Sequence, residues 1–545
     1  MAEDASAVER AGDPAPPRED MTVAEQVADP IPPAEDAGDA AAGKRKRGFP
    51  SPLTILVAVT VGVWLLALAI PSGQYQIDDG GRPIPGSYQE IDSPLDFGES
   101  VQDLVYAPIN GLYGIQDLDT GQVGPFNRGA LFGSAQVFLF ILAIGGFMTV
   151  VFKTGALDLG IAHLAHKYKT RGTVLIVTLS VLFGILGSVM SWSDETLGFY
   201  ALIIPLMLSL GYDRIVTVSV VTIAPFVGSI GSTVNPFRIG VGSDAAGVEI
   251  GDGIVLRLLL FVLTLGATIA YTVRYANRVK ANPELSIVPH DPEDAELVKQ
   301  AERNDLAPLS VTDKAVIDIV AFTFLLLVFS IIPWGSILNN TIVDPLTHET
   351  ITQAFSWELG WWLPELTAMF VVMAIVIGLV ARLGEAGTSK AFLQGVIDFT
   401  GPAILVAVAR GVSVILTNTK TIDTVLNSME GIVDGRSNVV FILLLSLISL
   451  PLGFLVGSGS AGMALVMPIL APLGDFAGVE RSLIVTTYNA MGGLLLLVIP
   501  TNALLIAGLG LARVGFDKYF KFLLPLVGIL TAIVLGVLVL GAVAS

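Results

Sequence analysis

Long apolar runs separated by short polar stretches dominate the chain from residue 53 onward. The clearest runs cover residues 53–70, 131–152, 254–273, 315–333, 363–381 and 522–543. Each is about as long as the roughly 20 residues that a helix needs to cross the hydrocarbon core of a bilayer. The runs do not alternate in polarity, as the strands of a membrane barrel would. The pattern therefore predicts an all-α polytopic membrane protein.

Composition agrees with a membrane protein and narrows the chemistry. Of 545 residues, 53% are hydrophobic and 14% are charged, whereas a soluble domain carries about 25% charged residues. Cysteine is absent, which excludes disulfides, thiolate chemistry and cysteine-ligated metals. The sequence also lacks Walker A, HExxH and Gly-x-Ser-x-Gly motifs. No enzymatic activity, organic cofactor or nucleic-acid partner is expected.

The net charge of −18 is unevenly distributed. Residues 1–48 begin with a stretch rich in Ala, Pro, Asp and Glu, which predicts a disordered acidic tail. The basic run Lys44–Arg47 precedes the first apolar run, so the positive-inside rule places the N-terminus in the cytoplasm. Following the basic clusters along the chain places the C-terminus outside. The expected location is the inner (cell) membrane, with the bilayer as a partner.

The polar stretches divide the remainder of the chain into segments. A first transmembrane helix and an external segment are expected in 49–130, a cytoplasmic linker in 281–314 and connecting transmembrane helices in 315–390. Two longer segments are expected to contain a re-entrant hairpin followed by a broken helix. They are 131–280, with its hairpin at 173–210 and broken helix at 215–243, and 391–545, with its hairpin at 437–474 and broken helix at 482–512.

Landmarks of the first long segment recur in the second. Ala201–Leu206 matches Ala464–Ile469, and both lead through a glycine to an arginine. The basic residues that follow the leading helix in the first copy are mostly replaced by acids in the second, which indicates opposite orientations. Two oppositely oriented copies form an inverted repeat, an architecture of secondary transporters. The alternative is a coincidental similarity between apolar segments.

The predicted helix breaks carry the first candidate chemistry. Unwound backbone at membrane depth persists only where protein, water, ion or substrate satisfies its peptide groups. Neutral oxygens at the breaks and hairpin tips suit a hard monovalent cation, so Na⁺ or H⁺ is the expected coupling ion. The candidate ion-binding residues are Ser193, Ser232, Asn235, Ser458, Ser460 and Asn502. The alternative is a pair of proline kinks that only pack.

Charged residues at membrane depth supply the substrate candidates. Asp194 and Glu195 fall at the predicted first tip, and such ionisable groups are functional candidates by default. Arg410 and Arg238 also fall within apolar stretches, and either could hold a carboxylate with two hydrogen bonds. The alternatives are a solvated acidic turn and an internal ion pair between these groups. The candidate substrate-binding residues are Asp194, Glu195, Thr196, Thr233, Asn235, Arg410, Thr501 and Asn502.

Short motifs spread over residues 50–545 resemble a known family. They are Ile70-Pro71-Ser72-Gly73-Gln74-Tyr75, Pro85-Gly86-Ser87-Tyr88, Lys153-Thr154-Gly155-Ala156, Asp194-Glu195-Thr196, Gly231–Phe237 and Ala409-Arg410-Gly411. Together they resemble the YfcC-like branch of the C4-dicarboxylate anaerobic carrier (DcuC-type) family. The resemblance implies the ion transporter superfamily fold, a homodimer, and a scaffold domain beside a mobile transport domain that works by an elevator movement.

The resemblance also bears on the substrate. The family is associated with dicarboxylates, and this branch with basic amino acid exchange. Where sodium-coupled relatives carry a Ser-Asn-Thr tip, this chain has Ser193-Asp194-Glu195-Thr196, and an acidic tip suits an amino or guanidino group. We therefore expect a secondary active transporter for a small carboxylate-bearing metabolite, with an amino acid, possibly a basic one, favoured over a C4-dicarboxylate or other organic anion. A channel and an intramembrane enzyme are remote alternatives.

Overall fold

A computed structural model describes residues 52–77, 83–193, 195–288, 294–295, 297–298, 308–338, 340–343, 350–433, 436–456, 459–499 and 502–545. The predicted acidic tail, residues 1–48, lies outside this range, as does part of the predicted linker 281–314. All structural statements below concern the described residues.

Helices form most of the described chain. In the first half they are α1 (Pro52–Ala69), α2 (Phe97–Tyr113), α3 (Ala135–Lys153), α4 (Ala156–Lys167), α5 (Gly172–Met190), α6 (Tyr200–Ser209), α7 (Arg214–Val218), α8 (Ala224–Gly231), α9 (Val241–Ala246) and α10 (Ile254–Ala281). In the second half they are α11 (Val311–Ile331), α12 (Trp334–Ile337), α13 (Leu363–Val380), α14 (Gly384–Asn418), α15 (Ile422–Val433), α16 (Asn438–Val456), α17 (Gly459–Phe476), α18 (Arg481–Val498), α19 (Ala503–Leu511) and α20 (Phe516–Ala544). Turns of 3-10 helix at Glu195–Phe199 and Pro283–Leu285 and of π-helix at Ser219–Ile223 and Pro236–Gly240 connect some of them.

Short strands, absent from the all-α expectation, form three small antiparallel sheets. Strand β1 (Ser72–Gln74) pairs with β2 (Gln89–Ile91), β3 (Ile115–Asp117) pairs with both β4 (Val123–Gly124) and β5 (Gly129–Leu131), and β6 (Thr341–Val343) pairs with β7 (Thr350–Thr352). Strands β1 to β5 lie in, or at the end of, the predicted external segment within 49–130, and β6 and β7 lie between α12 and α13. Three-residue strands cannot be read from polarity, because alternation needs more positions.

Ten helical stretches in the described chain are long and apolar enough to cross a membrane: α3, α5, α7 to α9 taken together, α10, α11, α13, α14, α17, α18 and α20. The most apolar part of the stretch Arg214–Ala246 is completely buried inside the protein. The other stretches expose part of their surface, as helices facing lipid do. The expectation of a mostly helical, multi-pass membrane protein is confirmed.

Glycines allow the helices nearest the candidate site to approach each other closely. A Cβ added at Gly187 in α5 would lie 2.1 Å from the Pro225 carbonyl oxygen in α8, and one at Gly228 would lie 2.1 Å from the Gly184 oxygen. A Cβ at Gly395 in α14 would lie 2.3 Å from the Gly145 oxygen in α3. Small residues at such crossings let helix backbones touch, which fixes α5 on the broken helix and α14 on α3.

Helix α2 lies within the segment expected outside, yet it packs along α14. Its first turn carries a capping box, in which the Asp96 side chain and the Glu99 side chain each accept a backbone N–H. A Cβ added at Gly111 would lie 2.2 Å from the Ala407 oxygen of α14. One face of α2 is thus buried against α14, whereas Phe97 and Val105 remain exposed on its other side.

The same succession of elements occurs twice. A long helix, a short helix, two helical arms around a tip, an interrupted helix and a final helix follow one another from α3 to α10 and again from α14 to α20. The turn after each leading helix has a left-handed residue, Gly155 with φ 68° and Lys420 with φ 53°. Thr154 and Thr419 each donate their hydroxyl to a carbonyl of the preceding turn, both at 2.7 Å.

Candidate functional site

The first interrupted helix breaks at residues 232–235, between α8 and the π-turn that begins at Pro236. The Asn235 side-chain oxygen accepts the backbone N–H groups of Phe237 and Arg238 at 3.0 and 3.2 Å. Pro236 occupies the first helical position, where its missing N–H costs nothing. Ser232 has a φ of 22°, and non-glycine residues in such conformations cost about 1–3 kcal/mol and concentrate at functional sites.

The second interrupted helix resumes in the same way at Asn502. Its side-chain oxygen accepts the backbone N–H groups of Leu504 and Leu505 at 3.2 and 3.4 Å, and its side-chain amide donates to the Leu496 oxygen at 3.0 Å. An asparagine N-cap therefore begins the second half of both broken helices.

Hydrogen bonds join the first tip to the first break. The Asn235 amide donates to the Ser191 hydroxyl at 2.6 Å, and the Thr233 backbone N–H donates to the Ser188 hydroxyl at 3.1 Å. Ser191 is itself left-handed, with φ 55°. At the other side of the tip, Thr196 is buried and donates its hydroxyl to the Ser193 oxygen at 2.6 Å. Tip and break consequently form one hydrogen-bonded unit.

Arg257 donates hydrogen bonds to backbone carbonyls of the break and of the loop before its own helix. Its side chain is fully buried, and it donates to the Thr233 oxygen at 3.1 Å, to the Asp252 oxygen at 2.7 Å and to the Ile250 oxygen. A backbone carbonyl that lies at membrane depth without an intrahelical partner needs such a donor. Sequence reasoning missed Arg257, because it follows an acidic loop at the start of an apolar run and resembles a border residue.

A cavity of about 370 Å³ lies between both tips, both interrupted helices and the helices α3 and α14. This volume falls within the range of small-molecule sites. Residues from opposite ends of the sequence share its surface. Its lining consists of Ile144, Met148, Met190, Ser191, Trp192, Ser193, Phe226, Ser229, Phe237, Arg238, Phe399, Pro402, Leu405, Gly459, Ser460, Leu496 and Leu504.

Arg238 is the charged residue among the described lining residues. Its side chain is 8% exposed, and one of its terminal nitrogens donates to the Asn489 side-chain oxygen at 3.3 Å. Within the described ranges this is its one hydrogen-bond acceptor, and it forms no ion pair there. Asn489 is fixed in turn, because its amide donates to the Ser229 and Ile230 oxygens at 3.2 and 3.1 Å. The guanidinium is thus positioned yet retains unused donors.

A second source of positive potential faces the same guanidinium. Helix α17 begins at Gly459, and a Cβ added there would lie 2.9 Å from the Arg238 Nε. A helix N-terminus carries about half a positive charge. The described cavity lining contains no carboxylate, and the buried Trp192 indole N–H has no acceptor among the described residues. The arrangement therefore favours an anion in the cavity.

Comparison with known proteins identifies the family of the chain. The family model for the C4-dicarboxylate anaerobic carrier matches residues 49–543. The chain belongs to the C4-dicarboxylate anaerobic carrier family. The family expected from the motifs is confirmed, and it places the chain among membrane transporters.

The sequences of two relatives align with nearly the whole chain. One is YfcC of Escherichia coli K12, named as a candidate basic amino acid antiporter, which is 30% identical over 521 residues, 91% of this chain and 97% of that protein. The other is an uncharacterized protein of Haemophilus influenzae Rd, 29% identical over 527 residues, again 91% of this chain and 97% of that protein. Both relatives therefore align with about nine tenths of this chain.

Two solved structures share the fold of this family member. MtrF of Neisseria gonorrhoeae, described within a class of antimetabolite efflux pumps, has a TM-score of 0.61 and 15% identity, and covers 91% of this chain and 95% of its own. The YdaH transporter of Alcanivorax borkumensis has a TM-score of 0.61 and 16% identity, and covers 91% of this chain and 98% of its own. At these identities the likeness shows the fold alone.

The predicted site residues of this carrier separate into three groups. Ser193 and Ser460 line the cavity. The break residues Ser232, Thr233 and Asn235 lie beside the first tip. Thr196 lies in the 3-10 turn that follows this tip, and Asn502 caps α19. Asp194, Ser458 and Thr501 lie outside the described residues, and Glu195 is described by its backbone alone.

Arg410 lies elsewhere in the carrier. Its Nε donates to the Phe132 oxygen at 2.9 Å, and its guanidinium carbon lies 4.4 Å from the centre of the Phe132 ring. It does not line the cavity. The sequence prediction selected Arg410 rather than Arg238 as the substrate-binding arginine, although both interrupt apolar stretches. Packing distinguishes them and brings Arg238 to the cavity, together with Trp192, which the sequence did not single out.

Proposed function

We propose that the protein is a secondary active transporter that carries a small carboxylate-bearing metabolite and holds its carboxylate at Arg238. One observation carries the proposal: a buried guanidinium with unused donors faces a cavity between two hairpin tips and two helix breaks. A guanidinium can bind a carboxylate through two parallel hydrogen bonds. An amino acid is favoured over a C4-dicarboxylate, because the described lining offers one cation and a dicarboxylate carries two charges.

Reciprocal contacts between the interrupted helices support an inverted repeat. Arg214, at the start of the first, donates to the Ala512 oxygen at the end of the second at 3.1 Å. Arg481, at the start of the second, donates to the Ala246 oxygen at the end of the first at 3.0 Å. Such a pair of exchanged contacts is expected of two related, oppositely oriented units. We propose that both interrupted helices and both tips form the transport domain, which moves in elevator fashion against a scaffold that includes α3 and α14.

Several features accompany this proposal. The protein works as a homodimer in the inner membrane, with its N-terminus in the cytoplasm and its C-terminus outside. Na⁺ or H⁺ couples transport, with the ion held by the hydroxyl and amide oxygens of the tips and breaks. The E. coli relative is named as an antiporter, so exchange is included in the proposal beside symport.

Counterflow into proteoliposomes tests the proposal. Purified protein is reconstituted with amino acids or C4-dicarboxylates inside, and uptake of the same labelled compound is followed with Na⁺, pH or no gradient. We expect saturable exchange of at least one compound and acceleration by one of the gradients. Ohmic current without saturation would indicate a channel, and absence of exchange for all compounds would refute the proposal.

Two arginine variants give a matched comparison. Arg238→Gln removes the cation that lines the cavity, and Arg410→Gln removes the cation that does not. We expect Arg238→Gln to reduce carboxylate uptake at least a hundredfold, because a charged bidentate contact contributes about 3 kcal/mol, and Arg410→Gln to change the apparent KM less than threefold. The reverse result would place the carboxylate at Arg410.

A further inference from the structure

The wall of the cavity away from Arg238 is apolar on the side of α3 and α14. Ile144 and Met148 contribute from α3, and Phe399, Pro402 and Leu405 contribute from α14. These side chains offer no hydrogen bond to a ligand. A ligand whose carboxylate reaches Arg238 therefore presents the rest of its body to hydrocarbon.

The opposite side of the cavity continues this apolar surface. Phe226, Phe237, Leu496 and Leu504 line it from the two interrupted helices. The Phe237 and Phe399 rings stack across the boundary between the two sides, with centres 5.7 Å apart and planes at 28°. The flat ring pair encloses the space beside Arg238 and suits a branched or aromatic group in contact with it.

The polar side chains of the described lining residues offer no partner for a second charge. The Ser229 hydroxyl donates to the Gly187 oxygen at 3.1 Å, and the Ser193 hydroxyl donates to the Ser191 oxygen at 3.2 Å. The unused side-chain groups among the described lining residues are donors, on Arg238 and on the Trp192 indole. Burying a charge at the far end of a ligand without a partner is strongly unfavourable, whereas the ammonium of an α-amino acid lies next to its own carboxylate and is balanced within the ligand.

We infer that the preferred substrate combines one carboxylate with an apolar body, as in a branched-chain or aromatic amino acid or a monocarboxylate of similar size. The inference rests on the proposed carboxylate contact at Arg238 and refines the class of substrate. Each additional methylene buried against the apolar wall strengthens binding about fourfold. A basic side chain or a second carboxylate would place a charge where the cavity offers hydrocarbon.

Uptake by the full-length protein in proteoliposomes distinguishes these classes. Labelled leucine, phenylalanine and 4-methylpentanoate are compared with labelled succinate and arginine, each in counterflow against itself. We expect at least one apolar compound to show a kcat/KM at least tenfold above that of succinate and of arginine. Preference for succinate or arginine would overturn the inference and leave the proposed transporter intact. Uptake of none would instead refute the proposed function.

Two neighbouring residues of α14 provide the matched variants. Leu405 lines the cavity, whereas Ile404 is 41% exposed on the outer surface of the same helix. Leu405→Ala should lower kcat/KM for the best apolar substrate at least tenfold and leave the ratio of succinate to arginine uptake unchanged. Ile404→Ala removes a side chain of the same size and should change uptake less than twofold. Equal effects of the two variants would overturn the inference.

Discussion

Gly459 leaves the space that the Arg238 guanidinium occupies. A Cβ at Gly459 would lie 2.9 Å from the Arg238 Nε, 3.0 Å from its Cζ and 3.1 Å from its Nη2. Any side chain at 459 must therefore push the guanidinium away from its present position. The residue is the first of α17, where alanine is otherwise well tolerated.

Gly459→Ala should accordingly impair substrate binding more than folding. We expect the apparent KM for the transported carboxylate to rise at least tenfold, while the thermal unfolding temperature in detergent changes little. Gly401→Ala is the control, because a Cβ at Gly401 in α14 meets nothing within 4 Å. Comparable KM values for the two variants would show that Arg238 is free to move aside.

Asp103 in α2 carries a charge that burial disfavours. Its side chain is 8% exposed, one oxygen accepts the Asn418 amide at 2.7 Å, and the other has no partner among the described residues. Burial raises the pKa of Asp103 to about 6 from the ordinary value of 3.8, although the Asn418 hydrogen bond lowers it. The folded protein thus holds the proton more tightly than the unfolded chain does.

Because folding raises the pKa of Asp103, the protein gains stability from this group at low pH and loses it as the pH rises. The stabilisation from the protonated carboxyl is fully present below about pH 4 and is lost as the pH rises through 6. Asp103→Asn stays neutral and keeps the acceptor for Asn418, so it should stabilise the protein at pH 8 by on the order of 3 kcal/mol. Thermal unfolding between pH 4 and pH 8 measures this, and a gain that does not grow with pH would contradict it.

At the scale of elements, the first break depends on Arg257. Three backbone oxygens accept hydrogen bonds from its guanidinium, and each buried acceptor left without a donor costs about 1–3 kcal/mol. One of them belongs to Thr233, within the break itself. The conformation of the break is therefore built partly from a side chain of the following helix.

Arg257→Gln should disturb both the break and the transport that uses it. We expect a fall in thermal stability of at least about 3 kcal/mol and at least a tenfold loss of uptake, with partial recovery in Arg257→Lys. Arg274→Gln, an exposed position of the same helix α10, is the control. Wild-type uptake in Arg257→Gln would show that the break forms without it.

Elements differ in how far the sequence determines them. The apolar runs predicted α3, α10 and α13 closely, because spanning length is a property of a continuous segment. The resumption of both interrupted helices at Asn235 and Asn502 could also be expected, since an N-cap depends on neighbouring residues alone. The role of Arg257 could not, because its three acceptors come from a distant loop and from the break.

At the scale of the whole molecule, the cavity depends on contacts that no local pattern encodes. Ser193 and Ser460 come from the two hairpin tips, far apart in the sequence, and line the same cavity. The sequence singled out both serines by their place in the repeat. It selected Arg410 rather than Arg238, because the sequence does not show which side of each helix faces the cavity.

The arginines at the starts of the interrupted helices join these two helices to each other. Besides the Ala246 oxygen, Arg481 binds both carboxylate oxygens of Asp475 at 2.6 to 3.1 Å. Asp475 is 6% exposed and Arg481 is 25% exposed. Removal of the arginine would leave a nearly buried carboxylate without its partner, which is costly even after allowance for solvent on the other side.

Arg481→Ala should lower stability by about 2 kcal/mol, with the loss reduced in Arg481→Lys. The control is Lys518→Ala, whose ion pair with Asp517 is exposed and 3.8 Å long and should contribute less than about 1 kcal/mol. Thermal unfolding in detergent gives both values. Equal losses would mean that the Arg481 contacts add nothing beyond a surface ion pair.

The contacts of Arg214 and Arg481 have a mechanical consequence. Each interrupted helix is bonded at its first turn to the final turn of the other. Because each helix takes part in both contacts, sliding or rotating one helix relative to the other would strain both hydrogen bonds. Hydrogen bonds from charged groups contribute about 1.5–3 kcal/mol each, so these contacts favour movement of the two interrupted helices as one unit.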